Sequence, residues 1–114
     1  MKPTSDKEIL FYKDINGKEP FTLWLETLDK AMQRRIWSRM VRIAVGNYGD
    51  VKPLQDGVSE FRFHFGSGYR VYFAEQDNRI IILLCGGDKK TQPQDIQKAV
   101  KYWKDYKDKH DQLP

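Results

Sequence analysis

The sequence predicts an α+β fold. A small antiparallel β-sheet carries an N-terminal helical hairpin on one face and a C-terminal helix, in the order β-α-α-β-β-β-α. Three observations lead there. Residues 61–73 alternate aromatic and polar side chains on two arms around Gly66-Ser67-Gly68, the period of a half-buried hairpin. Residues 80–85, IIILLC, are continuously apolar and rich in β-branched side chains, as in a central strand covered on both faces. Residues 29–47 place apolar side chains at helical spacing with arginines opposite.

The elements follow in chain order. Residues 8–15, EILFYKDI, are strand-forming and end at the turn pair Asn16-Gly17. Pro20 opens a short helix, PFTLWLETL, where its missing N–H displaces no needed donor. Asp29 caps a second helix, DKAMQRRIWSRMVRIAVGN, which ends at Gly46 and Asn47. Met32, Ile36, Met40, Ile43 and Ala44 share one side of it. Arg34, Arg35, Arg39 and Arg42 share the other, within an arc of roughly 140°. Residues 48–57, YGDVKPLQDG, read as a polar loop. Strands over 58–65, 69–76 and 79–86 follow, the last two joined by a tight turn at Asp77-Asn78. Thr91 and Gln94 have capping-box spacing for a final helix, whose buried stripe is Ile96, Ala99, Val100 and Trp103. Residues 104–114, KDYKDKHDQLP, are polar and expected to fray.

A chain of 114 residues makes one domain with a modest core. A 39% hydrophobic and 32% charged composition is that of an ordinary soluble protein. The longest apolar run, Ile80 to Cys85, is too short to span a bilayer, and no membrane partner is expected. No charged n-region with an apolar h-region opens the chain, so the expected compartment is the cytoplasm. Cys85, the single cysteine, forms no internal disulfide and sits in the apolar run, which predicts a buried, inert thiol. No His/Cys cluster has metal-ligand spacing, so neither metal nor cofactor is expected. The net charge of +4 permits an anionic partner without requiring one.

The candidate site lies in "FRFHFGSGYRVYF", residues 61–73. Phe61, Phe63 and Phe65 share one face and belong to the core. A three-residue turn at Gly66-Ser67-Gly68 predicts Phe65 opposite Tyr69, Phe63 opposite Val71 and Phe61 opposite Phe73. The same register sets His64 opposite Arg70 and Arg62 opposite Tyr72, gathering four polar side chains on the far face. Two readings of that face are open. It is the wetted side of an antiparallel sheet, or it binds an anion. The basic groups repel one another, and the one acid near in sequence, Glu60, is assigned to the core side or the strand edge. Gly86-Gly87-Asp88-Lys89-Lys90 then leads into a helix N-terminus, either a plain turn and cap or a phosphate-favouring corner. The arginine face of the second helix is a solvated face or a contact for a nucleic-acid backbone.

The stretch from Gly57 to Trp103 resembles the RelE/ParE superfamily of toxin–antitoxin toxins. More narrowly it resembles the HigB-like, phage-derived "addiction module killer protein" subgroup. The resemblance rests on Glu60-Phe61-Arg62, Gly68-Tyr69-Arg70-Val71-Tyr72, Gly87-Asp88-Lys89-Lys90-Thr91-Gln92, Asp95-Ile96 and Ala99. The N-terminal part matches more loosely, so residues 1–114 are expected to form a single toxin domain of this kind.

The resemblance implies a curved antiparallel sheet with two helices on one face and an open working face. It implies a metal-independent endoribonuclease cutting messenger RNA at the ribosome. The partner it implies is a cognate antitoxin, a helix-turn-helix DNA-binding protein. By position Arg70 matches the arginine that faces the scissile phosphate, and Lys90, with Lys89 beside it, the basic position after the last strand. Arg62 and His64 occupy strand positions where relatives carry basic residues. Tyr72, Gln92, Arg35 and Arg39 are the expected RNA contacts. Where some relatives have a tyrosine that assists proton transfer, this chain has Ile96, which leaves His64 as the expected proton carrier. The fold equally hosts a ParE-like gyrase poison that acts by binding, or a prophage remnant that binds only its antitoxin.

Overall fold

A computed structural model of the chain describes residues 6–111. The elements are β1 (Glu8–Phe11), α1 (Pro20–Leu25), α2 (Lys30–Ala44), β2 (Val51–Pro53), β3 (Val58–Arg62), β4 (Arg70–Gln76), β5 (Ile80–Gly87) and α3 (Gln92–Asp111). They build one sheet in the order β1-β5-β4-β3-β2. Three of its pairings are antiparallel, and β1 joins β5 in parallel. The predicted α+β architecture holds, with one strand more than expected. That strand, β2, lies in the stretch read as a polar loop and sets Val51 opposite Phe61. Its proline is tolerated because β2 is an edge.

Strand alternation divides the core in two. Phe61, Phe63, Val71, Phe73, Ile81 and Leu83 pack beneath α1 and α2 against Phe21, Ile36, Met40 and Ile43. Val58, Tyr72, Ala74, Ile82 and Leu84 pack beneath α3 against Ala99, Trp103 and Tyr106. A register shift between Tyr72 and Phe73 marks a bulge, and Leu84 and Cys85 both join the α3 side there. The sheet is therefore the middle of three layers. The expectation of an open working face is corrected: α3 covers the body of it, and the end carrying Arg62 and Lys89 stays accessible.

The helix termini explain themselves locally. Asp29 Oδ1 accepts from the Met32 amide at 2.8 Å and caps α2 as predicted. Ahead of α3, no Thr91–Gln94 side-chain bond of the expected capping box is seen among the described residues, and Asp88 instead orders the turn that leads into the helix. Its Oδ1 accepts from the Lys90 and Thr91 amides at 2.9 and 3.1 Å, and the Thr91 hydroxyl donates to Asp95. The predicted fraying from residue 104 is also corrected. Helix α3 continues to Asp111 because Tyr106 is buried, stacks on Trp103 and donates to Gln76 Oε1 at 3.1 Å. Residues 112–114 lie outside the described range.

Candidate functional site

Strands β3 and β4 set Arg62 opposite Arg70, Phe61 opposite Val71 and Glu60 opposite Tyr72. This corrects the expected register by two residues. The Phe63 amide donates to the Tyr69 carbonyl at 2.9 Å, so residues 64–68, not Gly66-Ser67-Gly68 alone, make the connection. A shift of two preserves strand alternation, so Phe61 and Val71 stay on the predicted core face, but it changes the cross-strand neighbours. Gly66 makes the loop possible: its φ is +63°, and a Cβ there would lie 2.4 Å from the Tyr69 ring.

At this end of the sheet a cleft of about 290 Å³ is lined by Arg62, His64, Gly66, Gly68, Arg70 and Lys89. Beneath it lies Glu60, whose side chain is 1% exposed. Glu60 Oε1 is 3.3 Å from Arg70 Nε and accepts from Gln92 Nε2 at 2.6 Å, while Oε2 is 3.7 Å from Arg62 Nε. The assignment of Glu60 to the core side is therefore corrected. It shares the parity of Arg62 and His64 and supplies the negative charge that the basic face was expected to lack. Arg70 is 8% exposed at its side chain, with Nη1 donating to the Gly68 carbonyl at 3.1 Å. Arg62 is 38% exposed and more open to an incoming ligand.

His64 leaves the strand and stands in the loop, 74% exposed. Its expected place opposite Arg70 is taken by Arg62. Nε2 lies 2.5 Å from Asp50 Oδ2. With Nε2 donating to the carboxylate, Nδ1 is left as the basic nitrogen.

The remaining predicted residues divide. Lys89 lines the cleft, and Lys90 beside it is exposed but does not. Gln92 is engaged with Glu60. Tyr72 is corrected most sharply. It is 0% exposed under α3, its hydroxyl has no hydrogen-bond partner among the described residues, and burial raises its pKa. A base stacking on it would have to displace α3. Arg35 and Arg39 lie on α2 and line a separate groove of about 380 Å³ with Arg34, Arg42 and Phe65. The Arg35 guanidinium stands 3.8 Å over the Phe65 ring. Because Phe65 follows His64, the same loop borders both the cleft and the arginine groove.

Two acidic partners were not assigned to the site from sequence. Glu60 was named but set on the core side or the strand edge, although its place was legible, since residues 60, 62 and 64 share one parity. Asp50 was not: it reaches His64 only through the pairing of β2 with β3, seen in the Arg62 amide donating to the Asp50 carbonyl at 3.0 Å. Among the described residues no helix is long and apolar enough to cross a membrane.

Comparison with known proteins bears on this site. An uncharacterized protein of Haemophilus influenzae (strain ATCC 51907 / DSM 11121 / KW20 / Rd) is 45% identical over 80 residues, 69% of this chain and 81% of that protein. Residues 23–104, which include the whole cleft, match the family described as "Phage derived protein Gp49-like (DUF891)". The chain belongs to this Gp49-like, phage-derived family, which is associated with toxin–antitoxin systems and RelE-like toxins.

Proposed function

We propose that this protein is the toxin of a toxin–antitoxin pair and acts in the cytoplasm as a metal-independent endoribonuclease on translated messenger RNA. The observation that carries the reading is the cleft in which Arg62, Arg70 and Lys89 converge beside a His64–Asp50 pair. RNA cleavage of this kind needs only the chain's own groups. The 2′-hydroxyl attacks the adjacent phosphorus, the bond to the 5′-oxygen breaks, and a 2′,3′-cyclic phosphate and a 5′-hydroxyl result. His64, oriented by Asp50, takes the 2′-hydroxyl proton at Nδ1, and water supplies the proton that the departing 5′-oxygen takes up as a 5′-hydroxyl. Arg62 and Lys89 meet the phosphate oxygens, with Arg70 behind them, and stabilise the charge that develops on them. Lys90, Arg35 and Arg39 hold flanking phosphates, the last two along the α2 groove. Gln92 and Tyr72, engaged or buried, contribute from within the fold. A HigB-like role, with a helix-turn-helix antitoxin as partner and the ribosome as the place of action, is the finer form of this reading.

RNA 5′-end mapping after brief induction tests it, comparing the parent with His64→Ala. His64 is exposed, so its removal leaves packing untouched. New 5′-hydroxyl ends inside coding regions, reduced about 10²-fold or more in the variant, are expected. Growth arrest with DNA damage and no new ends would instead make the protein a gyrase poison, and neither effect would make it a binding remnant.

A further inference from the structure

The carboxylate beneath the cleft has a role beyond charge balance. Glu60 is 1% exposed, and burying an ionised carboxylate is costly unless its partners are well placed. Its surroundings are rich in donors. Gln92 donates to it at 2.6 Å, and Arg70 and Arg62 approach it at 3.3 and 3.7 Å. Tyr72 lies directly opposite on the same face. Arg70 Nε and Tyr72 Oη are the two buried side-chain polar atoms without an aligned hydrogen bond among the described residues, and both belong to residues beside this carboxylate.

The geometry at the arginines is specific. Glu60 approaches each at Nε, 3.3 Å at Arg70 and 3.7 Å at Arg62. A guanidinium offers five N–H groups in a planar fork, so a negative charge beside Nε draws that edge toward itself and turns the terminal edge away from it, toward another anion. Arg70 Nη1 is fixed a second time by the Gly68 carbonyl at 3.1 Å. Gln92 opens α3, so its bond to Glu60 ties the docking of that helix to the carboxylate.

We propose that Glu60 is a positioning residue. It orients the Arg62 and Arg70 guanidiniums so that their terminal N–H groups face the cleft, and Gln92 secures it from α3. This rests on the reading of the cleft as an RNA-cleaving site, but its primary test does not. In proton–nitrogen NMR spectra of the intact protein, the Arg70 Nε–H resonance, from a side chain 8% exposed, is expected to be sharp and slow to exchange with water. In Glu60→Gln, which keeps shape and removes charge, it is expected to average and exchange rapidly, and the Arg62 Nε–H resonance, from a side chain 38% exposed, is expected to shift. Gln92→Ala, which leaves the ion pairs in place, gives a smaller change in the same direction and serves if Glu60→Gln does not fold. Resonances unchanged in the folded variants would overturn the proposal.

Activity supplies the second arm. Binding is probed with a single-stranded oligoribonucleotide bearing a 2′-deoxy residue at the cleavage position. Glu60→Gln is expected to slow single-turnover cleavage on the order of 10²-fold, as a misplacement of about 1 Å does, while affinity for the probe changes much less. Equal loss of rate and affinity would overturn positioning in favour of simple charge loss. If the parent cuts no RNA, the functional reading fails, and the resonance comparison still decides the role of Glu60.

Discussion

At the scale of single residues, close packing anchors the loop that borders the site. Trp24 lies flat on Gly86: a Cβ there would stand 2.2 Å from the indole ring. The same ring meets Tyr69 edge-on at 6.0 Å, just past the loop that bears His64. Gly86→Ala is therefore expected to push Trp24 away, costing about 1–3 kcal/mol as overpacking does. A lowered denaturant midpoint with altered tryptophan fluorescence checks this. Cys85 gives the opposite kind of expectation. It is 5% exposed, and burial, with the Asp95 charge adding to it, pushes its thiol up to about 12. Native protein at pH 8 should react with a thiol reagent far more slowly than denatured protein, in keeping with the inert thiol read from sequence.

At the scale of elements, what was legible follows from period and punctuation. The cap Asp29, the buried stripe Ile36-Met40-Ile43 and the apolar β5 are local signals, and each appears as read. Asp29→Ala is expected to cost roughly 0.5–2 kcal/mol of stability in equilibrium unfolding, by removing the acceptor of the Met32 amide. Parity survived in the hairpin, so the aromatic face was identified, but register did not. Register depends on where a loop closes, and Gly66-Ser67-Gly68 looked sufficient while the chain used residues 64–68. The same limit hid Asp50, whose meeting with His64 depends on a three-residue edge strand within a polar stretch. It also displaced His64 from its strand and gave its place to Arg62.

At the scale of the whole molecule, α3 closes the third layer, and the C-terminal half of that helix was the part least legible from sequence. Its polar composition suggested fraying, yet its long-range contacts are specific. The Tyr12 hydroxyl donates to Asp105 Oδ2 at 2.6 Å, Lys109 pairs with the same oxygen at 3.0 Å, and Tyr106 is buried. Removing residues 105–114 deletes a buried aromatic with its stacking partner's support, and is expected to cost about 3–5 kcal/mol. That is a large share of the roughly 5–15 kcal/mol by which a domain is stable, and urea unfolding of the shortened chain measures it. The same helix sets the acid response. The Tyr12 hydrogen bond, then Lys109, hold Asp105 below the usual carboxylate range. Its contribution is thus present above the unfolded value of about 3.9 and is lost as pH falls through the lower folded value. Asp95 is shifted the other way: burial raises it, with the Thr91 hydroxyl opposing. Ionised Asp95 opposes folding at neutral pH, and acid relieves it. Stability measured from about pH 6 to pH 2 should therefore fall less steeply on acidification in Asp105→Asn than in the parent, and more steeply in Asp95→Asn. Identical slopes in all three would mean that neither carboxylate couples the docking of α3 to protonation.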